Sequence, residues 1–119
     1  MALSFRSAQR LLTAADYRSV FSNPDFKTGQ KEVLLLAKAS EGPNHRLGLA
    51  VAKKHVPTAV KRNLIKRLAR ERFRSMPESS PSLDIVVLTR PAARDAERVD
   101  LRLALDQQFN RLHAKASRS

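Results

Sequence analysis

The chain has no cysteine, no tryptophan and only three glycines in 119 residues. Without cysteine there is no disulfide framework and no thiolate zinc site, which fits a reducing, cytoplasmic setting. Three glycines leave no room for a Gly-rich phosphate loop. No run approaches 18 apolar residues, so no membrane span is expected. By charge alone the partner is nucleic acid or an anionic membrane surface, and the expectation adopted is nucleic acid with no membrane. The opening Met-Ala-Leu-Ser-Phe-Arg-Ser lacks the apolar centre of a secretory signal. Acid is scarce too: 11 Asp and Glu stand against 23 Lys and Arg, a formal charge of +12. The few carboxylates are scattered, with no sequence-local dyad or metal trio. His45, His55 and His113 match no ligand spacing. No catalytic residue, no metal site and no cofactor bound by the protein alone are therefore expected. Charge so unbalanced opposes compaction by self-repulsion, and it suits a polyanionic partner.

What is present is concentrated in one helix. From Lys53 to Arg74 there are nine Lys or Arg in 22 residues, and Glu71 is the single acid. At 100° per residue, residues 58–74 divide into two arcs. Val60, Leu64, Ile65, Leu68 and Ala69 form the face expected to bury. Arg62, Asn63, Lys66, Arg67, Arg70 and Arg74 form the other. A solvated helix face normally mixes both signs, and this one does not. Arginine's planar fork suits phosphate oxygens and base edges, and the amide of Asn63 adds a donor and an acceptor.

The remaining pattern gives a small fold. Residues 1–10, with Arg6 and Arg10, read as a basic arm. Thr13 and Asp16 have capping-box spacing before a helix over 14–21, with Leu12 and Tyr17 placed as a hydrophobic staple. Residues 33–38 and 46–53 read as two strands of a hairpin around the turn signal Glu41-Gly42-Pro43-Asn44. In the second strand Leu47, Leu49 and Val51 alternate with Gly48, Ala50 and Ala52. The bulky set should face the core, and the small set should lie under a helix or floor a groove. Pro57 and Thr58 open the basic helix, Thr58 as its N-cap. Residues 76–82 are a loop, 83–89 a strand, and 98–113 a last helix carrying Leu101, Leu105, Phe109 and Leu112. Residues 115–119 read as a frayed tail. The expectation is one α+β domain over 1–119, a small sandwich in the order helix, hairpin, helix, strand, helix.

Two further features bear on binding. Tyr17 and Phe21 stand at i, i+4, where aromatics usually belong to the core but can also stack on unpaired bases. Lys53 and Lys54 close a strand, a place where a lysine pair is often only a solvated edge.

Several of these segments together resemble the bacterial ribonuclease P protein family. Ala59-Val60-Lys61-Arg62-Asn63-Leu64-Ile65-Lys66-Arg67-Leu68-Ala69-Arg70-Glu71 resembles its signature helix. Asp16-Tyr17-Arg18-Ser19-Val20-Phe21 resembles its first helix. Arg46-Leu47-Gly48-Leu49-Ala50-Val51-Ala52-Lys53-Lys54 resembles a strand ending in a basic pair, and Leu83-Asp84-Ile85-Val86-Val87 a later strand. One place departs: Leu64 stands where the family more often has a third polar residue, Arg, and it falls on the apolar side. The resemblance implies a βαβ crossover of left-handed sense, against the usual rule. It implies a protein that helps an RNA subunit, which holds Mg²⁺ and the catalytic centre, remove the 5′ leader of precursor transfer RNA. Arg62, Asn63, Lys66, Arg67 and Arg70 would contact the RNA subunit. Tyr17, Phe21, Lys53, Lys54 and, more weakly, Arg90 would line the leader cleft. One protein per RNA, as a monomer, is expected. The rival readings are a ribosomal protein or RNA chaperone, an independent nuclease, and a duplex-DNA binder.

Overall fold

The computed structural model describes residues 13–77 and 82–118. The basic arm and the staple partner Leu12 lie outside them. Helix α1 spans Ala14–Ser22. Strands β1 (Phe26–Gly29), β2 (Val33–Ser40) and β3 (Arg46–Ala50) follow. Helix α2 (Ala59–Arg74) leads to β4 (Ser82–Thr89), and a 3₁₀ turn at Pro91–Arg94 leads to α3 (Arg98–Arg118).

Helix α1 starts as its sequence predicts. The Asp16 N–H donates to Thr13 Oγ1 at 3.1 Å, and the Thr13 N–H donates to Asp16 Oδ2 at 3.3 Å. That closes the capping box and satisfies a donor the helix itself leaves open. At α2, Thr58 holds the N-cap position with extended dihedrals, but its hydroxyl makes no capping bond.

The four strands lie in the order β1-β2-β4-β3. The expected hairpin between residues 33–38 and 46–53 does not form. β4 separates the two strands, antiparallel to β2 and parallel to β3. The reason lies in β4 itself: Leu83, Ile85, Val86 and Val87 are all fully buried, on both faces of the sheet. A strand apolar on both sides takes the interior of a sheet, and the more polar strands take its edges. The hairpin that does form joins β1 to β2, pairing Phe26 with Ala37 and Gly29 with Leu34. β1 escapes sequence reading because four residues, Phe-Lys-Thr-Gly, are too few to show a period.

Alternation along β2 divides the core. Val33, Leu35 and Ala37 join the main cluster with Ile65, Leu68, Ala69 and Phe73 of α2 and Leu101, Leu105, Phe109 and Leu112 of α3. Leu36 faces the other way, toward Val20 of α1 and Val86. One sheet therefore carries α2 and α3 on one face and α1 on the other. In β3 the bulky residues Leu47 and Leu49 pack with the main cluster, and Ala50 lies on the α1 side. Of the small-residue set, Ala50 thus lies on the helix side, as the pattern allows, while Ala52 falls beyond the strand.

Two boundaries differ from the sequence reading. β3 stops at Ala50 rather than residue 53, and a turn takes over at Lys53. Helix α3 continues through Arg118, so residues 115–118 are not a frayed tail. Ala116 packs on the main core, and Lys115 Nζ donates to the Lys27 carbonyl at 2.6 Å. These contacts reward ordering of the last turn and a half.

Candidate nucleic-acid interface

Two surfaces carry the residues singled out in the sequence. The first is the outer side of α2. Arg62, Lys66, Arg70 and Arg74 form an i, i+4 row, and all four are half-buried. Asn63 and Arg67 are exposed beside it. The opposite flank of α2 meets α3, where Arg72 pairs with Asp106 at 3.4 Å and donates to Asn110 Oδ1 at 2.6 Å. The Arg72 guanidinium also lies 5.7 Å from the Phe109 ring centre. A cation is thus spent on holding the two helices together, and the other row is left at the surface.

Two details of α2, at Val60 and Arg62, depart from a plain helical wheel. Val60, expected to bury, is 83% exposed. It stands ~140° from Ile65 at the edge of the apolar arc, in a first turn that has not yet met the sheet. Arg62 turns back, donating to the carbonyls of Val56 at 3.0 Å and Pro57 at 2.8 Å. These bonds hold the guanidinium over the entry to its own helix. Arg67 lies 3.9 Å from Glu71, a contact between two half-exposed side chains that neutralises little.

The second surface lies on the α1 side of the sheet. The Tyr17 and Phe21 rings stack at 6.4 Å between centroids, with planes 25° apart. Tyr17 is half-buried against the small cluster, and its Oη accepts the Leu49 N–H at 3.1 Å. Leu49 is on the edge strand β3, so the phenol caps a donor that could otherwise recruit another strand. Phe21 is 42% exposed. Tyr17 therefore serves both core and surface, and Phe21 is chiefly surface.

The basic residues flank the C-terminal end of β4. The Ala52 N–H donates to Thr89 Oγ1 at 3.0 Å, and His55 Nδ1 donates to the Thr89 carbonyl at 2.9 Å. These bonds dock the turn carrying Lys53 and Lys54 onto the end of β4, beside Arg90. Both lysines are exposed. Arg90 is fixed from the other side: its N–H donates to the Glu32 carbonyl at 3.0 Å and its Nη1 to the Gln30 carbonyl at 3.2 Å. Sequence reasoning missed Gln30 and Glu32, because nothing in a turn of mixed polar residues signals whom it will hold.

A third element sets α1 in place. Arg46 donates from Nε to Asp84 Oδ1 at 2.9 Å and from Nη2 to Asp84 Oδ2 at 2.7 Å, with Asp16 of α1 at 3.5 Å. The bonds to Asp84 raise the Arg46 guanidinium above its ordinary value, opposed by desolvation.

A groove of about 260 Å³ between α2 and α3 lies elsewhere, on the α3 flank of α2. Glu71, Arg72, Arg102 and Asp106 line it with both signs of charge. Among the described residues, no three His, Asp or Glu side chains gather as a metal site. No helix of the described residues is long and apolar enough to cross a membrane.

A cationic helix row, a basic turn at the end of β4 and a ring pair on the α1 face define a small α+β domain built to meet polyanions. Comparison with known proteins agrees. A family model described as Ribonuclease P matches residues 5–113. The chain is 40% identical to the ribonuclease P protein component of Saccharophagus degradans, over 97% of this chain and 85% of that one. It is 43% identical to that of Acinetobacter baylyi, over 97% and 88%. Among solved structures, the RNase P protein of Staphylococcus aureus matches with a TM-score of 0.76 at 27% identity, covering 87% of this chain and 94% of that one. The chain belongs to the ribonuclease P protein family, and its partner class is RNA in a ribonucleoprotein complex.

Proposed function

We propose that this chain is the protein subunit of ribonuclease P, binding the catalytic RNA through α2 and the 5′ leader of precursor transfer RNA through the α1 side of the sheet. The observation that carries the reading is the separation of the two surfaces. The α2 row offers charge alone, as a folded RNA backbone requires. The α1 side offers the Tyr17–Phe21 ring pair and the end of β4 offers charge, the two elements an unpaired strand requires. On this reading Arg62, Asn63, Lys66, Arg67 and Arg70 meet the RNA subunit. Tyr17, Phe21, Lys53, Lys54 and Arg90 meet the leader.

The chemistry and its Mg²⁺ then belong to the RNA, and the protein acts by binding and positioning. Fixed cations replace part of the ionic screening that brings two polyanions together, so less Mg²⁺ is needed. One protein per RNA, in the cytoplasm, completes the proposal.

The test is cleavage of a 5′-extended precursor transfer RNA at low Mg²⁺ by a bacterial ribonuclease P RNA, with and without the protein, beside protein alone. Cleavage restored only when both are present supports the reading. Cleavage by protein alone makes it a nuclease. Tight RNA binding with no effect on cleavage makes it a ribosomal protein or chaperone.

A further inference from the structure

Gln108 is the one glutamine of α3 that the fold buries completely, with 0% of its surface exposed. Its amide sits in a chain of bonds that runs in one direction. Thr28 Oγ1 donates to Gln108 Oε1 at 2.5 Å. Gln108 Nε2 donates to Gln30 Oε1 at 2.6 Å. Gln30 Nε2 donates to Glu32 Oε1 at 3.0 Å. The carboxylate of Glu32, itself 5% exposed, terminates the chain. An acceptor at that end dictates both amide orientations: Gln30 must present its NH₂ to Glu32 and its oxygen to Gln108, and Gln108 must do the same one step back. The β1–β2 turn, closed by the Gln30 N–H on the Val33 carbonyl at 2.9 Å, is thereby also tied to a helix on the core side of the sheet.

The main chain of that turn is what holds Arg90. The carbonyls of Gln30 and Glu32 accept from the Arg90 guanidinium and N–H. Both carbonyls lie in the turn between β1 and β2, which the Gln30–Val33 bond closes and the side-chain network fixes further.

We infer that Gln108 is a positioning residue for leader recognition: through Gln30 and Glu32 it sets the guanidinium of Arg90 against the single-stranded leader, 18 residues away in sequence and without touching RNA. This rests on the leader-binding reading above. A buried polar chain is costly unless every member is satisfied, so it suits a place where one geometry is required. An arginine held by one fork arm keeps its other donors for phosphate.

The experiment uses the reconstituted holoenzyme and reads the ratio of affinities for leader-bearing and leaderless transfer RNA. Gln108→Leu keeps the volume and removes both amide bonds. Gln30→Ala, in a surface turn, breaks the same chain with less risk to folding. Each is expected to lower the ratio roughly three- to tenfold, the worth of a displaced charged contact. Affinity for the RNA subunit should stay unchanged. In an Arg90→Ala background, neither substitution should lower the ratio further. The inference is overturned if both variants only lower the melting temperature, or if their effect persists without Arg90. Tyr17→Ala serves as the control for the underlying reading. If Tyr17→Ala also leaves the ratio intact, leader binding on this face fails altogether. If Tyr17→Ala lowers it and the two glutamine variants do not, the failure is of the relay alone.

Discussion

Arg46 stands opposite Asp84 in the parallel β3–β4 ladder, and its guanidinium closes on that carboxylate through two bonds, 2.9 and 2.7 Å long. Asp16, three residues into α1, lies 3.5 Å from the same guanidinium. One arginine therefore ties the edge strand to the central strand and both to the helix that bears Tyr17 and Phe21. Replacing Arg46 with Lys should cost about 1 kcal/mol, because a single ammonium cannot reproduce the fork. Replacing it with Ala should cost about 2 kcal/mol, discounted for the partial exposure of the pair. Thermal unfolding would measure both. The folded guanidinium is raised above its unfolded value. Its stabilisation is thus complete below the ordinary arginine range and is lost only as pH climbs through the folded value. Between pH 5 and 9 the bridge should add no slope to the stability profile.

The α2 row can be dissected by separating fold from binding. Arg67→Ala should leave the melting temperature unchanged, since the side chain is exposed and its ion pair with Glu71 is 3.9 Å long. Arg62→Ala should lower stability by about 1 kcal/mol through loss of two carbonyl contacts. Together the two should weaken binding to ribonuclease P RNA. They should also reduce the slope of log K against log salt by about 1 to 2, as expected for one or two lost phosphate contacts. A salt titration of the double variant tests this, and an unchanged slope would remove α2 from the RNA interface.

Tyr17 has two jobs that single-atom changes distinguish. Tyr17→Phe removes the bond to the Leu49 N–H and keeps the ring. It should cost about 1 kcal/mol of stability with leader affinity retained. Phe21→Ala should do the reverse. With the ring largely at the surface, stability should change little, while leader affinity falls by about 1–3 kcal/mol per lost stacked base. Paired melting and leader-dependent binding curves decide the matter.

His45 should prove purely structural. It is buried, accepting the Leu83 N–H at Nδ1 (2.9 Å) and donating from Nε2 to the Pro77 carbonyl (3.1 Å). It therefore bridges the end of the α2 exit and the start of β4. His45→Ala should cost about 2 kcal/mol, with a buried N–H left unpaired, and should not alter RNA affinity at fixed folded concentration. Denaturant unfolding alongside RNA binding would check both halves.

Local features were readable without a structure. The capping box at Thr13 and Asp16, the α2 span, β4 and the apolar repeat of α3 each depend on neighbours a few residues apart, and periodicity exposes such neighbours. The α2 basic row was equally plain, because charge of one sign on one arc needs no tertiary partner to be seen. Pairing of strands was not readable. Residues 33–38 and 46–53 look like a hairpin on the page, and only competition for the sheet interior reveals that β4 comes between them. Val60 left its expected environment for a similar reason: a wheel assumes a uniform partner surface, and the first turn of α2 has none.

The amino-acid sequence by itself determined the polyanionic partner, the helices and the two sets of candidate residues, since these follow from composition and from spacings of three to eight residues. Tertiary structure alone decided how those residues are held. The Tyr17–Leu49 cap, the Arg46–Asp84–Asp16 tie and the Gln108 chain to Arg90 join positions 30 to 80 residues apart at every step except the local Gln30–Glu32 bond. Each bond is worth little against the entropy of ordering its ends, so it forms only after burial of Ile85, Phe109 and their neighbours has brought those ends together.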